Sequence, residues 1–299
     1  MIYRKHLKNY SIILRGHNMT IEVILLALSP IFLVFVSVEF IKYRRFYDIK
    51  DSMANTALAL LHQGADAVSL ILLMPLFNWL YEYRVFDIEL SVFTVLFAFI
   101  FQDFLYYWFH RASHNIHWLW AAHVVHHSST KMNFTTAFRQ SLMYPLAGMW
   151  VFWLPMILIG FDPITVLTVV ALNLAYQFFV HTQIVKKLGW FESVFNTPSH
   201  HRVHHAINRE YLDKNFAGVL IIWDKLFGTF VEEDSNKPCK YGIVGQLNSN
   251  NPVTITFHQW WHLIKQTYTA KGFKAKLSIL FGYPTSSQKN NDNDVSYKS

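Results

Sequence analysis

Residues 88–127 read IELSVFTVLFAFIFQDFLYYWFHRASHNIHWLWAAHVVHH, an apolar run that passes directly into a cluster of histidines. The apolar part, residues 88–109, is interrupted near its middle by Gln102 and Asp103. It is long enough to cross a bilayer, which takes about 20 predominantly apolar residues. The stretch therefore predicts a membrane helix that ends at His110, with histidines gathered where the chain leaves the membrane.

The composition extends this interpretation to most of the chain. Of the 299 residues, 53% are hydrophobic and only 15% are charged, whereas a soluble domain carries roughly 25% charged residues. The excess lies in five apolar blocks, at residues 21–40, 65–81, 88–109, 142–160 and 163–180. We therefore expect an all-α, polytopic membrane protein with about 4–5 membrane helices.

The net charge of +7 does not indicate a nucleic-acid-binding protein. Its positive residues lie in loops at the ends of the apolar blocks, as the positive-inside rule describes. Examples are Lys42, Arg44, Arg45, Lys186 and Lys187. The membrane surface, and not nucleic acid, is the expected electrostatic partner. A single cysteine, Cys239, excludes an intrachain disulfide framework and a thiolate zinc site.

The order of the apolar blocks places all the histidine clusters on one side of the membrane. The third block ends at His110, and the fourth and fifth form a hairpin through the short turn at residues 161–163, which returns the chain at His181. With the basic loops, that side is expected to be cytoplasmic and to carry a histidine-rich helical cap. If each of the first three blocks crosses the membrane, the basic N-terminus lies on the side opposite the histidine clusters. Pro30 would change this count if it makes the first block kinked or re-entrant.

Eight of the sixteen histidines lie in three short clusters, His110–His114, His123–His127 and His201–His205, and His181 lies between the second and the third. Spacings of three and four residues put imidazoles on one helix face, where they can converge on a common centre. A lone histidine is usually a core residue, but three such clusters favour a metal site. Nine imidazoles are enough for two metal ions, and the residues alone leave iron, zinc and copper open.

The amino-acid sequence around these clusters resembles that of the fatty acid hydroxylase/sterol desaturase superfamily of membrane di-iron oxygenases. The strings that carry the resemblance are DFLYYWFH (103–110), WAAHVVHHSS (120–129), TAFRQ (136–140), NTPSHHRVHH (196–205) and DKNFAGVLIIWDKLFGTF (213–230). They are most similar to the alkylglycerol monooxygenase branch and its bacterial relatives. The resemblance covers about residues 65–232 and implies a non-haem di-iron enzyme.

The resemblance also implies roles for individual residues. The expected metal ligands are His110, His114, His123, His126, His127, His181, His201, His204 and His205. Gln177, Asp213 and Asn215 are expected to support the ligand imidazoles from outside. No catalytic residue beyond the ligands is implied. The chain is expected to divide into a basic N-terminal segment (1–20), a membrane oxygenase domain with the three boxes (21–232), a C-terminal amphipathic region (233–285) and a disordered tail (286–299).

The function implied is hydroxylation of a lipid C–H bond, in an alkyl, acyl or ether lipid, with two iron ions, O2 and two electrons. Relatives carry an acidic residue where this chain has Asn115, so the electron donor is either a small electron-transfer protein or a tetrahydropterin. Desaturation of a sterol or other lipid by the same centre is one alternative, and a non-enzymatic metal-binding membrane protein is another. A bacterial inner membrane or the endoplasmic reticulum is the expected location.

Overall fold

The computed structural model describes residues 21–284, and within them the predicted all-α architecture is confirmed. The basic segment 1–20 and the tail 286–299 lie outside the described residues. No strand longer than an isolated bridge occurs in the described part. The helices are α1 (Ile21–Lys42), α2 (Ile49–Tyr81), α3 (Val92–Asn115), α4 (His117–His127), α5 (Tyr144–Ala147), α6 (Leu154–Ile159), α7 (Pro163–Phe178), α8 (Pro198–His204), α9 (Ile222–Leu226), α10 (Pro252–Thr269) and α11 (Phe273–Phe281).

Helices α1, α2 and α3 are long and apolar enough to cross a membrane, by length and composition, and the protein is an integral membrane protein. Their outer faces present large apolar side chains such as Leu72 and Phe93, which are 71% and 84% exposed. Helix α1 continues through Pro30. Helices α2 and α3 begin at side-chain caps, Asp48 and Ser91, which satisfy backbone N–H groups of the first turn.

Helix α2 is longer than the apolar block that predicted it. The sequence places the start of that block at residue 65, or at residue 57 at the earliest, whereas the helix begins at Ile49 and has 33 residues. A helix of this length spans about 50 Å, well beyond the roughly 30 Å hydrocarbon core of a bilayer. Its first turns bury Ala54 and Leu58 against Val125 of α4, so they belong to the histidine-rich cap.

The fourth and fifth apolar blocks form shorter helices than expected. Block 142–160 is divided into α5, a 3-10 segment at Met149–Trp153 and α6. Gly148 causes the first break, since its φ of +81° lies in the left-handed region that favours glycine. Gly160, with φ of +136°, ends α6 where an added Cβ would collide with the carbonyl of Phe86. Helix α7 has 16 residues. Hydropathy detects the apolar character of these blocks but not the backbone breaks.

The cap combines the end of α3 with α4, α8 and the loops up to residue 232. Helices α10 and α11 pack onto α4, where Trp260 contacts Trp118 with ring centroids 4.8 Å apart. Trp260 is buried, whereas its neighbour Trp261 is 70% exposed. The C-terminal region therefore closes one side of the cap.

Candidate metal centre

Four short segments deliver the predicted ligands to the interior of the cap. His110 and His114 lie in the last turns of α3, and α4 carries the second cluster. His181 follows the end of α7, and α8 carries the third cluster up to His205. All nine predicted ligands are between 1% and 5% exposed. The structure thus brings together residues that are separated by almost a hundred positions in the sequence.

The nine imidazoles form two groups, in each of which one nitrogen per residue lies within 4.8 Å of all the others. The five-histidine group contains His110, His114, His123, His127 and His204. The four-histidine group contains His126, His181, His201 and His205. The two groups adjoin, since the rings of His127 and His205 stack with centroids 4.4 Å apart.

Each His-His pair in the sequence is divided between the two groups. His126 and His127 point to different groups, and so do His204 and His205. Consecutive residues do not share a face of a helix, whereas residues three or four apart do. His123 joins His127, and His201 joins His205, four residues apart in each case, whereas His126 and His204 turn to the other group. The motif H-x2-H-H thus supplies imidazoles to two neighbouring groups at once.

The nitrogens within each group are spaced as in a metal coordination shell. Nε2 of His123 lies 3.0 Å from Nε2 of His110 and 3.1 Å from that of His127. In the four-histidine group, Nε2 of His181 lies 2.9 Å from Nε2 of His201 and 3.1 Å from that of His126. Adjacent ligands at right angles, each about 2.1 Å from a metal ion, would be about 3 Å apart.

These contacts cannot all be hydrogen bonds between imidazoles. Nδ1 of His126 lies 3.1 Å from the carbonyl oxygen of Arg139, and Nδ1 of His181 lies 2.6 Å from that of Gln177. A carbonyl only accepts, so both Nδ1 atoms carry the proton and both neutral rings present an Nε2 lone pair. Two lone pairs then face each other across 3.1 Å. A shared cation turns this repulsion into attraction.

Burial keeps these rings neutral. It lowers the pKa of His181 to about 3. Burial, and after it the neighbouring His181, also lowers the pKa of His126 well below its usual value. Neutral imidazole is the form that ligates metals. Nε2 of His114 and Nε2 of His204 are also buried and have no hydrogen-bond partner among the described residues. The donor set therefore fits two metal ions that prefer nitrogen ligands.

Outer contacts orient six of the nine rings, mostly through backbone carbonyls. Besides Arg139 and Gln177, the carbonyl of Phe216 accepts from Nδ1 of His110 at 2.8 Å, and that of Lys214 accepts from Nδ1 of His204 at 2.9 Å. Two contacts use side chains: the hydroxyl of Tyr144 lies 3.0 Å from Nδ1 of His123, and the carboxylate of Asp213 lies 3.4 Å from Nδ1 of His114. Such contacts fix the tautomer of a ligand imidazole.

The three predicted supporting residues behave differently from one another. Asp213 contacts His114 through its side chain. Gln177 contacts His181 through its backbone carbonyl, while its side chain binds Tyr106 and Asn173. Asn215 contacts none of the nine histidines by hydrogen bond, because its amide binds the backbone carbonyls of residues 200 and 231 and so fixes the loop that precedes Phe216.

Two buried carboxylates that sequence reasoning did not single out fix the loop carrying Phe216. Asp224 accepts from the N–H groups of Phe216 and Ala217, each at 2.8 Å. Asp103 accepts from the N–H groups of residues 219 and 220, from the indole of Trp223 and from the amide of Asn173. The interruption of an apolar block by Asp103 was the one available sequence signal, since a buried carboxylate needs several donors.

Arg139 supports the four-histidine group from the side of α2. Its guanidinium is almost fully buried and binds Asp51 at 3.1 Å and Asn55 at 2.8 Å, while its carbonyl holds His126. The extension of α2 into the cap makes this contact possible. Other histidines of the described part remain outside both groups: His62, His117, His200, His258 and His262.

Together, the membrane helices and the paired imidazole groups define an integral membrane protein with a buried, histidine-only candidate metal centre. Residues 95–229 match the fatty acid hydroxylase family model, and these residues contain all nine histidines. Residues 95–229 form a fatty acid hydroxylase domain, as the sequence resemblance predicted.

The names of similar proteins are consistent with this domain match. Human alkylglycerol monooxygenase is 43% identical over 205 residues, which cover 68% of this chain and 45% of the relative. The Caenorhabditis elegans alkylglycerol monooxygenase is 36% identical over 248 residues, covering 79% of this chain and 48% of the relative. An ornithine lipid hydroxylase of Rhizobium tropici is 26% identical over 155 residues, covering 52% and 47%. The chain spans about half the length of these relatives. No solved structure matches it.

Proposed function

We propose that this protein is a membrane di-iron oxygenase that hydroxylates a C–H bond of a lipid. The observation that carries the proposal is the pair of adjoining imidazole groups, with lone pairs facing each other across about 3 Å at the end of membrane-spanning helices. The relatives support the reaction class, since their names describe monooxygenases and lipid hydroxylases. The reaction balances as R–H + O2 + 2 e⁻ + 2 H⁺ → R–OH + H2O.

The nine histidines would hold two iron ions, one in each group, and the irons would supply the activation of dioxygen with two electrons. The chain's own residues would orient the ligand nitrogens and exclude water. The carbonyls of Arg139, Gln177, Lys214 and Phe216 keep the ligand nitrogens deprotonated and aimed inward. Burial of all nine rings keeps bulk water from the reacting carbon.

The substrate proposed is a lipid that enters from the bilayer. The five-histidine group takes two of its members from the end of α3, and His181 of the four-histidine group follows the end of α7, so both groups lie next to the apolar helices. An alkyl or ether chain is favoured, because the relatives with the higher identity are named for alkylglycerols. We place the site on the cytoplasmic side, because basic residues follow α1 and α7 in loops.

The electron donor is proposed to be a small redox protein or a tetrahydropterin, with a lipid as the other partner. A non-enzymatic metal-binding membrane protein is disfavoured, because a transport pathway places ionisable residues near the middle of membrane spans. Here the nine histidines lie at helix ends and in the cap.

The test uses the full chain purified in lipid nanodiscs. Iron measured by mass spectrometry is expected at about two per chain, the number that two imidazole groups would hold. Ether, acyl and sterol lipids are then supplied with 18O2 and either a reduced redox protein or a tetrahydropterin. A product carrying one labelled oxygen supports hydroxylation, or cleavage of an ether through an unstable hydroxylated intermediate.

Two controls make the result decisive. His204→Ala removes a candidate ligand and should abolish product, whereas His262→Ala, outside both groups, should not. A product lighter by two hydrogens and without label would show desaturation instead of hydroxylation. Full activity of an expressed His204→Ala protein would refute the ligand assignment.

A further inference from the structure

The C-terminal segment contacts the candidate metal centre from well beyond residue 229, where the family match ends. Helix α11 ends at Phe281, and the two residues that follow it each make one polar contact with the cap. The carbonyl of Gly282 accepts from the backbone N–H of His117 at 2.9 Å. The hydroxyl of Tyr283 donates to Oδ2 of Asp213.

The Gly282 contact fixes the start of α4. The first N–H groups of a helix need partners from outside it, and the residue before α4, Ile116, supplies no side-chain cap. The C-terminal chain satisfies the first of these N–H groups. Helix α4 carries His123 and His127 of the five-histidine group, so its start influences where these rings lie.

The Tyr283 contact reaches the same group through a carboxylate. Oδ1 of Asp213 faces Nδ1 of His114, and Oδ2 accepts from Tyr283. Asp213 has a φ of +55°, in the left-handed region that side chains with a Cβ rarely adopt. Such a conformation persists only where its surroundings hold it. Contacts on both carboxylate oxygens hold Asp213 against His114.

We propose that Tyr283 is a positioning residue of the metal centre. By orienting the carboxylate of Asp213, it keeps the proton of His114 on Nδ1 and turns Nε2 towards the other four members of its group. Nε2 of His114 is buried there without a hydrogen-bond partner among the described residues, as a ligand atom would be. The inference rests on the proposed function only in that the five-histidine group binds a metal ion.

The experiment measures iron affinity, not turnover. The full chain in nanodiscs is titrated with Fe²⁺ under anaerobic conditions against a competing chelator. Tyr283→Phe should weaken one of the two iron sites by about 10–100-fold, the usual effect of losing an outer partner of a ligand histidine. The other site should be unchanged. Tyr268→Phe is the matched control, because Tyr268 of α10 is 84% exposed and lies away from both groups.

A double-mutant cycle separates positioning from general stability. Asp213→Asn should weaken the same site, and adding Tyr283→Phe to it should have no further effect, because the proposed role of the tyrosine depends on that carboxylate. Thermal unfolding of the metal-free variants checks that they fold. If Tyr283→Phe does not fold, a chain ending at Gly282 should lose the affinity and a chain ending at Tyr283 should keep it.

The outcomes distinguish this inference from the proposed function. Native affinity in Tyr283→Phe, or full additivity with Asp213→Asn, would overturn the positioning role even if the native protein hydroxylates lipids. A native protein that binds two irons but makes no product would remove the proposed activity, and the affinity measurements would still decide the role of Tyr283. A native protein without iron binding would overturn both.

Discussion

The five-histidine and four-histidine groups share two of the four ligand-bearing segments, α4 and α8, but their rings are oriented in different ways. Among the described residues, the four-histidine group has only backbone carbonyls as outer hydrogen-bond partners, those of Arg139 and Gln177. The five-histidine group also uses the side chains of Tyr144 and Asp213. A substitution removes a side-chain partner but leaves a carbonyl in place, so we expect side-chain variants to affect mainly the five-histidine group.

Loss of a ligand should have the largest effect and should differ between the groups. His181→Ala leaves three ligands in its group, whereas His114→Ala leaves four. Both variants should lose more than about 100-fold in turnover, because even the partners outside a metal site contribute up to that factor. Iron content should fall to about one per chain for His181→Ala and should stay closer to two for His114→Ala. Elemental analysis of the two purified variants, with His262→Ala beside them, measures this.

Equal iron contents in His181→Ala and His114→Ala would contradict the comparison. That result would mean that the number of ligands in a group does not determine how tightly it holds its metal. The division of the His-His pairs between two centres would then need revision.

Asp224→Asn should have the next largest effect, on both stability and the five-histidine group. The Asp224 carboxylate accepts from the N–H groups of Phe216 and Ala217 and from the hydroxyl of Thr229, and the carbonyl of Phe216 holds His110. An amide cannot accept all three bonds, so unfolding should become easier by about 3 kcal/mol. Iron affinity of the five-histidine group should fall as well. Chemical unfolding and chelator competition measure the two effects.

The control for this variant is Asp87→Asn, since the carboxylate of Asp87 is 84% exposed and pairs only with Arg84 among the described residues. It should change stability by less than about 1 kcal/mol. A weakened four-histidine site in Asp224→Asn would show that the loop at residues 216–220 supports both groups and not one.

Tyr144→Phe should separate affinity from stability. It removes the hydroxyl that lies 3.0 Å from Nδ1 of His123, so the five-histidine group should bind iron about 10–100-fold more weakly. Tyr176→Phe is the matched control: that hydroxyl donates to the carbonyl of Asn196 and contacts no candidate ligand. Both variants should lose about 1 kcal/mol of stability. Unchanged iron affinity in Tyr144→Phe would mean that packing alone orients His123.

The sequence predicts the parts of this site that depend on local spacing. The three clusters and His181 were recognisable because their helical spacing and the apolar residues beside them can be read directly from the sequence. Their division into two groups was not, because it depends on how α3, α4 and α8 meet. The outer partners were largely missed, since a backbone carbonyl such as that of Phe216 or Lys214 carries no residue-type signal. The identity of the bound metal stays a prediction.

Long-range contacts and backbone conformation also explain the errors in the predicted fold. Hydropathy located α3 and α7 to within about six residues at each end, because most of each of these apolar blocks is helical. Hydropathy predicted too short a helix for α2, because the first turns carry polar residues such as Asp51 and Asn55, which bind Arg139 in the cap. It also merged α5 and α6 into one span, since apolar composition does not reveal a left-handed glycine at position 148.

Gln177→Leu should have the smallest effect on metal binding, and it tests the comparison most directly. The Gln177 side chain accepts from the hydroxyl of Tyr106 at 2.8 Å and donates to Asn173 at 2.6 Å, whereas its backbone carbonyl holds His181. Leucine leaves two buried polar groups without these partners, which should lower stability by about 1–3 kcal/mol. The carbonyl stays in place, so iron affinity of the four-histidine group should match that of the native protein. Chelator competition that instead showed weaker binding at this group would mean that its orientation depends on side chains too, and the contrast between the two groups would be lost.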